Sequence, residues 1–184
     1  IIIRNNKILL NGQNVFDQDI NVNFADFIKA AYRSQKVNYL KFFKMDEVSK
    51  LTFISAEILL TDSGYLSRYD GKDIGLVLAN SNSSLDTDFK YYNTIKDKVN
   101  YSPSPSLFVY TLPNIMIGEI CIKNKIYGEN ALFVSKTFDP GFLCTYTSIL
   151  FEKNKIQSCI SGWVDLMPDH YEAFMYLVEP EKSA

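Results

Sequence analysis

Apolar positions along the chain repeat with helical spacing in some stretches and run unbroken in others. Val48, Leu51, Ile54, Ile58 and Leu59 fall on one stripe of a helix over 46–63, and Gly64 is placed to terminate it. Phe24, Phe27, Ile28 and Ala31 predict a shorter amphipathic helix over 24–34. Residues 74–79 are an uninterrupted apolar run of strand length, as expected of a strand buried on both faces. Residues 1–10, closed by Asn11-Gly12, predict a strand and a turn. The polar loop 80–84 ends in Ser84, a suitable N-cap for a helix running to about residue 98. Helical pattern over 106–125 is broken near Pro113, after the punctuation Ser102-Pro103-Ser104-Pro105. Residues 131–135 predict a second buried strand, 141–153 a helix and 157–166 a third strand. Alternation over 171–178 suits a final strand at or near an edge. Alternating elements of this kind indicate one layered α/β/α domain over 1–184, with a mostly parallel mixed sheet.

Composition narrows this picture. A hydrophobic share of 47% over 184 residues is ample for a packed core and argues against disorder. A net charge of -2 gives no basic face for nucleic acid. The lysines within 90–98 and 153–155 are interleaved with acids or stand at helix ends, so they are expected to form a solvated face. Cys121, Cys144 and Cys159 are an odd number with no C-x-x-C pairing, which favours reduced thiols and a cytoplasmic location. Ile1-Ile2-Ile3 is interrupted at once by Arg4 and Lys7, too short for a signal segment or membrane span. The first residue is Ile and not Met, so the chain is expected to start inside a longer translated product or after a removed tag.

Candidate chemistry is sparse. His170, beside Asp169 and near Glu172, is the single imidazole, and its spacing fits no metal motif; neither metal nor cofactor is expected. A hydrolase would need a nucleophile held by a base, yet no G-x-S-x-G elbow is present and Ser161-Gly162 lies within a strand pattern. The loop 80–86 stands where an anion cradle could, between strand and helix, but contains no glycine.

An ordered series of segments carries a resemblance. Met45-Asp46-Glu47-Val48-Ser49-Lys50-Leu51 followed by Ala56 to Gly64 is one part. Leu112-Pro113-Asn114, Gly118-Glu119-Ile120 and Tyr127-Gly128-Glu129-Asn130 form another, and Ile160-Ser161-Gly162-Trp163-Val164-Asp165 a third. Together, over residues 40–167, they resemble the N-terminal half of β-ketoacyl-ACP synthases of the thiolase-like superfamily. The stretch from Gly128 to Phe138 resembles the run into that family's nucleophilic cysteine, which sits at a helix N-terminus that stabilises its thiolate. An ungapped match puts Thr137 there; a match anchored on Val134-Ser135 and Gly141 puts Phe138 there. Neither supplies a thiol, Glu129 stands where the family has proline, and Asp139-Pro140 follows. The two histidines the family draws from its C-terminal half have no counterpart.

The resemblance therefore implies a ketosynthase-like protein that is inactive alone, in fatty-acid or polyketide biosynthesis, with an aryl-polyene or related pigment lipid as one product class. It implies a homodimer, or a heterodimer with a ketosynthase, paired through the strand near 131–135, and an acyl carrier protein as a further partner. It also implies a vestigial acyl pocket lined by Phe108, Met116, Phe138 and Phe142. The alternative is an acyltransferase or hydrolase using Thr137, Ser135 or Cys144 with His170 as base, which requires His170 to approach the turn after Ser135.

Overall fold

A computed structural model of the chain describes residues 1–35, 37–168 and 170–181. The strands are β1 (Ile2–Arg4), β2 (Lys7–Leu10), β3 (Gln13–Asp17), β4 (Ile74–Asn80), β5 (Asn130–Val134), β6 (Ser158–Met167) and β7 (His170–Val178). The helices are α1 (Phe24–Ser34), α2 (Glu47–Ser63), α3 (Leu85–Ile95), α4 (Pro105–Val109), α5 (Ile115–Asn124) and α6 (Pro140–Glu152). The strands form one sheet in the order β3-β2-β1-β7-β6-β4-β5.

The layered α/β class and the mixed sheet are as expected, but the balance of pairings is not. Only β4–β5 and β4–β6 pair in parallel; β1–β2, β2–β3, β1–β7 and β6–β7 are antiparallel. The reason is local. Asn5 and Asn6 both take positive φ (50° and 55°), the backbone of a two-residue hairpin turn. The expected single strand over 1–10 is therefore folded in two, and Asn11-Gly12 makes the next turn into β3. This meander then adds to β7 with Ile2 opposite Phe174. That addition also moves the final strand from the expected edge to the interior.

Helix α2 ends at Gly64 as expected, and its start is fixed by a cap that the expected helix over 46–63 does not assign. Asp46 caps it by accepting the Ser49 N–H at 3.1 Å, and Gly64 closes it in the left-handed region at φ 59°. Its burial is wider than one stripe, because β6, β7, α1 and α5 all pack around it. Its polar residues are satisfied locally. Thr52 and Ser55 hydroxyls donate to the carbonyls of Val48 and Leu51, and Glu57 accepts from Lys123 at 2.7 Å and Asn124 at 2.8 Å. Helix α3 stops at Ile95, short of residue 98, and the helical stretch around Pro113 is two helices.

Alternate residues of the sheet enter two separate cores. Ile3, Ile8, Leu76, Leu78, Ile160 and Met175 face α1, α2 and α5. Val77, Ala79, Cys159 and Trp163 face α6 with Leu143 and Leu150. Among the described residues α6 is the one helix on that second face, so Phe174 of β7 remains 39% exposed there. No described helix is long and apolar enough to cross a membrane.

Candidate functional site

The chain leaves β4 over one face of the sheet, through α3 to α5, and leaves the neighbouring β5 over the other, through α6. Divergent connections open a crevice at the carboxyl ends of the two strands, where ligands of open α/β sheets bind. Two loops build its rim, 80–84 after β4 and 135–139 after β5. They are joined by the Ser135 N–H donating to the Asn80 carbonyl at 2.9 Å.

The first loop is organised by an acid inside a strand. Asp165 of β6 is buried, and its carboxylate accepts from the Ser81 and Asn82 amides at 3.0 Å each, Ser81 Oγ at 2.8 Å and Asn82 Nδ2 at 2.7 Å. Asn80, fully buried, ties the same loop by exchanging hydrogen bonds with the Ser83 backbone. The amides that could have cradled a phosphate are thus directed at an internal anion. In the sequence Asp165 stands out only as part of the segment that carries the family resemblance. The available signal was a lone acid in an otherwise apolar strand beside a Ser/Asn loop.

The second loop holds Thr137 and Phe138, the two residues that the resemblance matches to the family's nucleophile. Thr137 is exposed, and its carbonyl accepts from Ser135 Oγ at 3.0 Å. Phe138 turns inward, its ring centroid 6.0 Å from Trp163 and 5.8 Å from Phe174. The N-terminus of α6 is already occupied. Asp139 accepts the Phe142 N–H at 2.9 Å, and Pro140 has no N–H to offer. A carboxylate at this dipole end opposes a second negative charge, thiolate or oxyanion, in the same place.

The other sequence candidates do not converge. His170 lies on β7, three strands from β5 in the order β5-β4-β6-β7, a lateral separation of about 14 Å at ~4.8 Å per strand. It lines a small hollow with Asn5, Asn6, Ile20, Val22 and Tyr171 instead. The imidazole expected to activate Thr137 or Ser135 is therefore out of reach of their turn. Asp169, its sequence neighbour, lies outside the described residues, and Glu172 accepts from the Trp163 indole at 2.9 Å. Among the described residues no group of three His, Cys, Asp or Glu side chains could hold a metal ion.

The four acyl-pocket residues are also divided. Met116 is buried in the core around α2, accepting from Thr52 Oγ1 at 3.4 Å. Phe138 and Phe142 lie on the opposite face, and Phe108 is exposed on α4 beside Tyr91. Helical spacing cannot reveal which side of a sheet a later helix will cover. Only Phe142 lines a cleft in the crevice, a space of about 250 Å³ shared with Ala79, Phe133, Val134, Ser135 and Asp139.

The thiols differ sharply in environment. Cys144 is exposed on α6, Cys121 is half-buried and Cys159 is buried. Burial pushes the Cys121 thiol up to about 11 and the Cys159 thiol up to about 12. Iodoacetamide at mildly alkaline pH is expected to modify Cys144 and to leave the other two, which stay protonated until well above pH 9. Peptide mapping checks this, and fast loss of the Cys159 thiol would contradict it.

Sequence comparison finds no matching family model and no matching curated protein. Comparison with solved structures finds the architecture. The ishigamide ketosynthase/chain length factor superposes with a TM-score of 0.64 at 16% identity, over 77% of this chain and 45% of that one. The structure described as the ketosynthase ApeO in complex with its chain length factor ApeC, from Xenorhabdus doucetiae, gives 0.56 at 11% identity, over 80% and 63%. A type II polyketide synthase acyl-carrier protein in complex with its hexaketide-bound ketosynthase gives 0.63 at 11% identity, over 97% and 60%. The fold is thiolase-like. It resembles the fold that the motifs imply, and the chain spans about half the length of the first of these structures.

Proposed function

We propose that this chain is a non-catalytic, ketosynthase-like subunit of a polyketide or fatty-acid pathway, formed as a single domain and working in a pair with another thiolase-like chain. The observation that carries the reading is the turn after β5. The resemblance matches Thr137 or Phe138 to the nucleophile and neither carries a thiol; Phe138 packs on Trp163 and Phe174, and Asp139 fills the helix end that would stabilise a thiolate. Aryl-polyene or pigment lipids are the product class we favour, in the cytoplasm, with an acyl carrier protein as a further contact. The cleft beside Phe142 suits a short acyl segment more than a whole substrate.

Pairing is supported by the two edges of the sheet. β3 is blunted by a register irregularity opposite Ile8/Leu9 and by Asp17, as edges commonly are. β5 has no charge and no proline within it. Glu129 O and Ser135 N bond inward to β4, so the alternate residues Asn130, Leu132 and Val134 turn their N–H and C=O groups to the open edge. A second strand of a homodimer, or of a heterodimer with a ketosynthase, would satisfy them. Phe142 and Ile149, seven residues apart on α6 and each 46% exposed, add apolar surface for the same or a further partner.

Sedimentation velocity at micromolar concentration is expected to show a dimer or larger assembly. A chain that stays monomeric at this concentration, alone and with a ketosynthase added, would remove this reading.

A further inference from the structure

A hollow of about 200 Å³ lies on the face of the sheet that carries α6. Phe138 reaches it from the turn after β5, Trp163 from β6, Glu172 and Phe174 from β7, and Ile2 and Arg4 from β1. Strand pairing brings these groups to one side. Trp163 lies opposite Phe174, Phe174 opposite Ile2, and Glu172 opposite Arg4. Directly opposed residues of antiparallel strands project to the same face.

One wall of the hollow is aromatic and loosely closed. The Phe138 centroid stands 6.0 Å from Trp163 and 5.8 Å from Phe174, toward the wide end of the roughly 4.5–7 Å range for interacting rings. The other wall carries one charge of each sign. Glu172 is held in place by the Trp163 indole, which donates to its Oε1 at 2.9 Å. Arg4 is exposed and faces Glu172 across the strands. Among the described residues its guanidinium makes no hydrogen bond or ion pair.

We infer that this hollow binds a free aromatic α-amino acid. The ring lies among Phe138, Trp163 and Phe174. The carboxylate takes the parallel N–H pair of the Arg4 guanidinium, and the ammonium donates to Glu172. The volume is below the roughly 300 Å³ at which pockets for drug-sized ligands begin, which limits the guest to one ring and a short polar end. An acyl chain would use the rings and leave both charges unanswered. A simple aromatic acid would set its anion against Glu172. The zwitterion answers the rings and both charges. This site goes beyond the proposed subunit role and does not depend on pairing through β5.

Trp163 is the single tryptophan of the chain, so its fluorescence reports on this hollow directly. The test titrates the chain with L-phenylalanine, with 3-phenylpropanoate, which lacks the ammonium, and with phenethylamine, which lacks the carboxylate. Calorimetry gives a second readout, and thermal melting is the fold control. L-phenylalanine is expected to give a saturable response at about millimolar concentration, the scale open to a ligand of about a dozen heavy atoms. It should bind about tenfold tighter than either analogue, as loss of a charge-assisted hydrogen-bond pair implies. Arg4→Gln is expected to erase the advantage over phenethylamine. Glu172→Gln, which keeps an oxygen for the indole, should erase the advantage over 3-phenylpropanoate. No saturable response to L-phenylalanine overturns the inference; so does equal affinity for all three ligands, or binding of L-phenylalanine by both variants as tightly as by the wild type. None of these results bears on the assembly expected of the proposed subunit, which sedimentation reads separately.

Discussion

Gly162→Ala is expected to abolish the stable fold. Gly162 sits in the middle of β6, opposite Leu78 of β4 and Met175 of β7, with φ at +154°. A Cβ there would lie 2.1 Å from the Phe174 carbonyl oxygen and 2.8 Å from the Met175 Cα. Both obstacles are backbone of the interior strand β7, so no rotamer change relieves them. The sheet would have to part between its antiparallel and parallel portions. A loss above about 4 kcal/mol is expected, which is a large share of the stability of an ordinary domain. Soluble yield and a urea melt measure it; a variant within about 1 kcal/mol of wild type would show that β6 and β7 are not packed this closely.

Asp165→Ala is expected to have the second largest effect, and a more local one. The carboxylate holds four donors, two of them backbone amides, and hydrogen bonds to a charged group contribute about 1.5–3 kcal/mol each. They do not add in full, because water can reach the freed loop, so roughly 3 kcal/mol is expected. Asp165→Asn should cost less, since one oxygen still accepts the Ser81 and Asn82 amides while the new NH₂ opposes Asn82 Nδ2. Hydrogen exchange provides the distinguishing readout. The Ser81 and Asn82 amides should lose protection in the Ala variant before the strands around them do. Uniform loss of protection would assign Asp165 to general stability and not to shaping the rim of the crevice.

Much of the scaffold could be read from residue pattern. The bounds of α1, the Gly64 end of α2 and the buried run of β4 follow from local chemistry: apolar spacing and a left-handed glycine. The Asn5-Asn6 turn was hidden because asparagine adopts positive φ in only some contexts, and the alkyl run around it reads as continuous strand. The interior place of β7 depends on that hairpin and was hidden with it. Sequence order placed Thr137 and Phe138 at the turn, but not the inward packing of Phe138 on a strand 36 residues further along. Met116 and Phe142 fell on opposite faces because the connections of β4 and β5 cross the sheet on different sides. The same divergence creates the crevice.

Under the proposed function the turn after β5 has no group that an acyl thioester can modify. Intact-mass analysis of the purified chain after incubation with malonyl-CoA and with a long-chain acyl-CoA tests it most directly. The account predicts an unchanged mass and no release of carbon dioxide from the malonyl thioester. A stable acyl adduct mapping to Thr137 or Cys144 would contradict it.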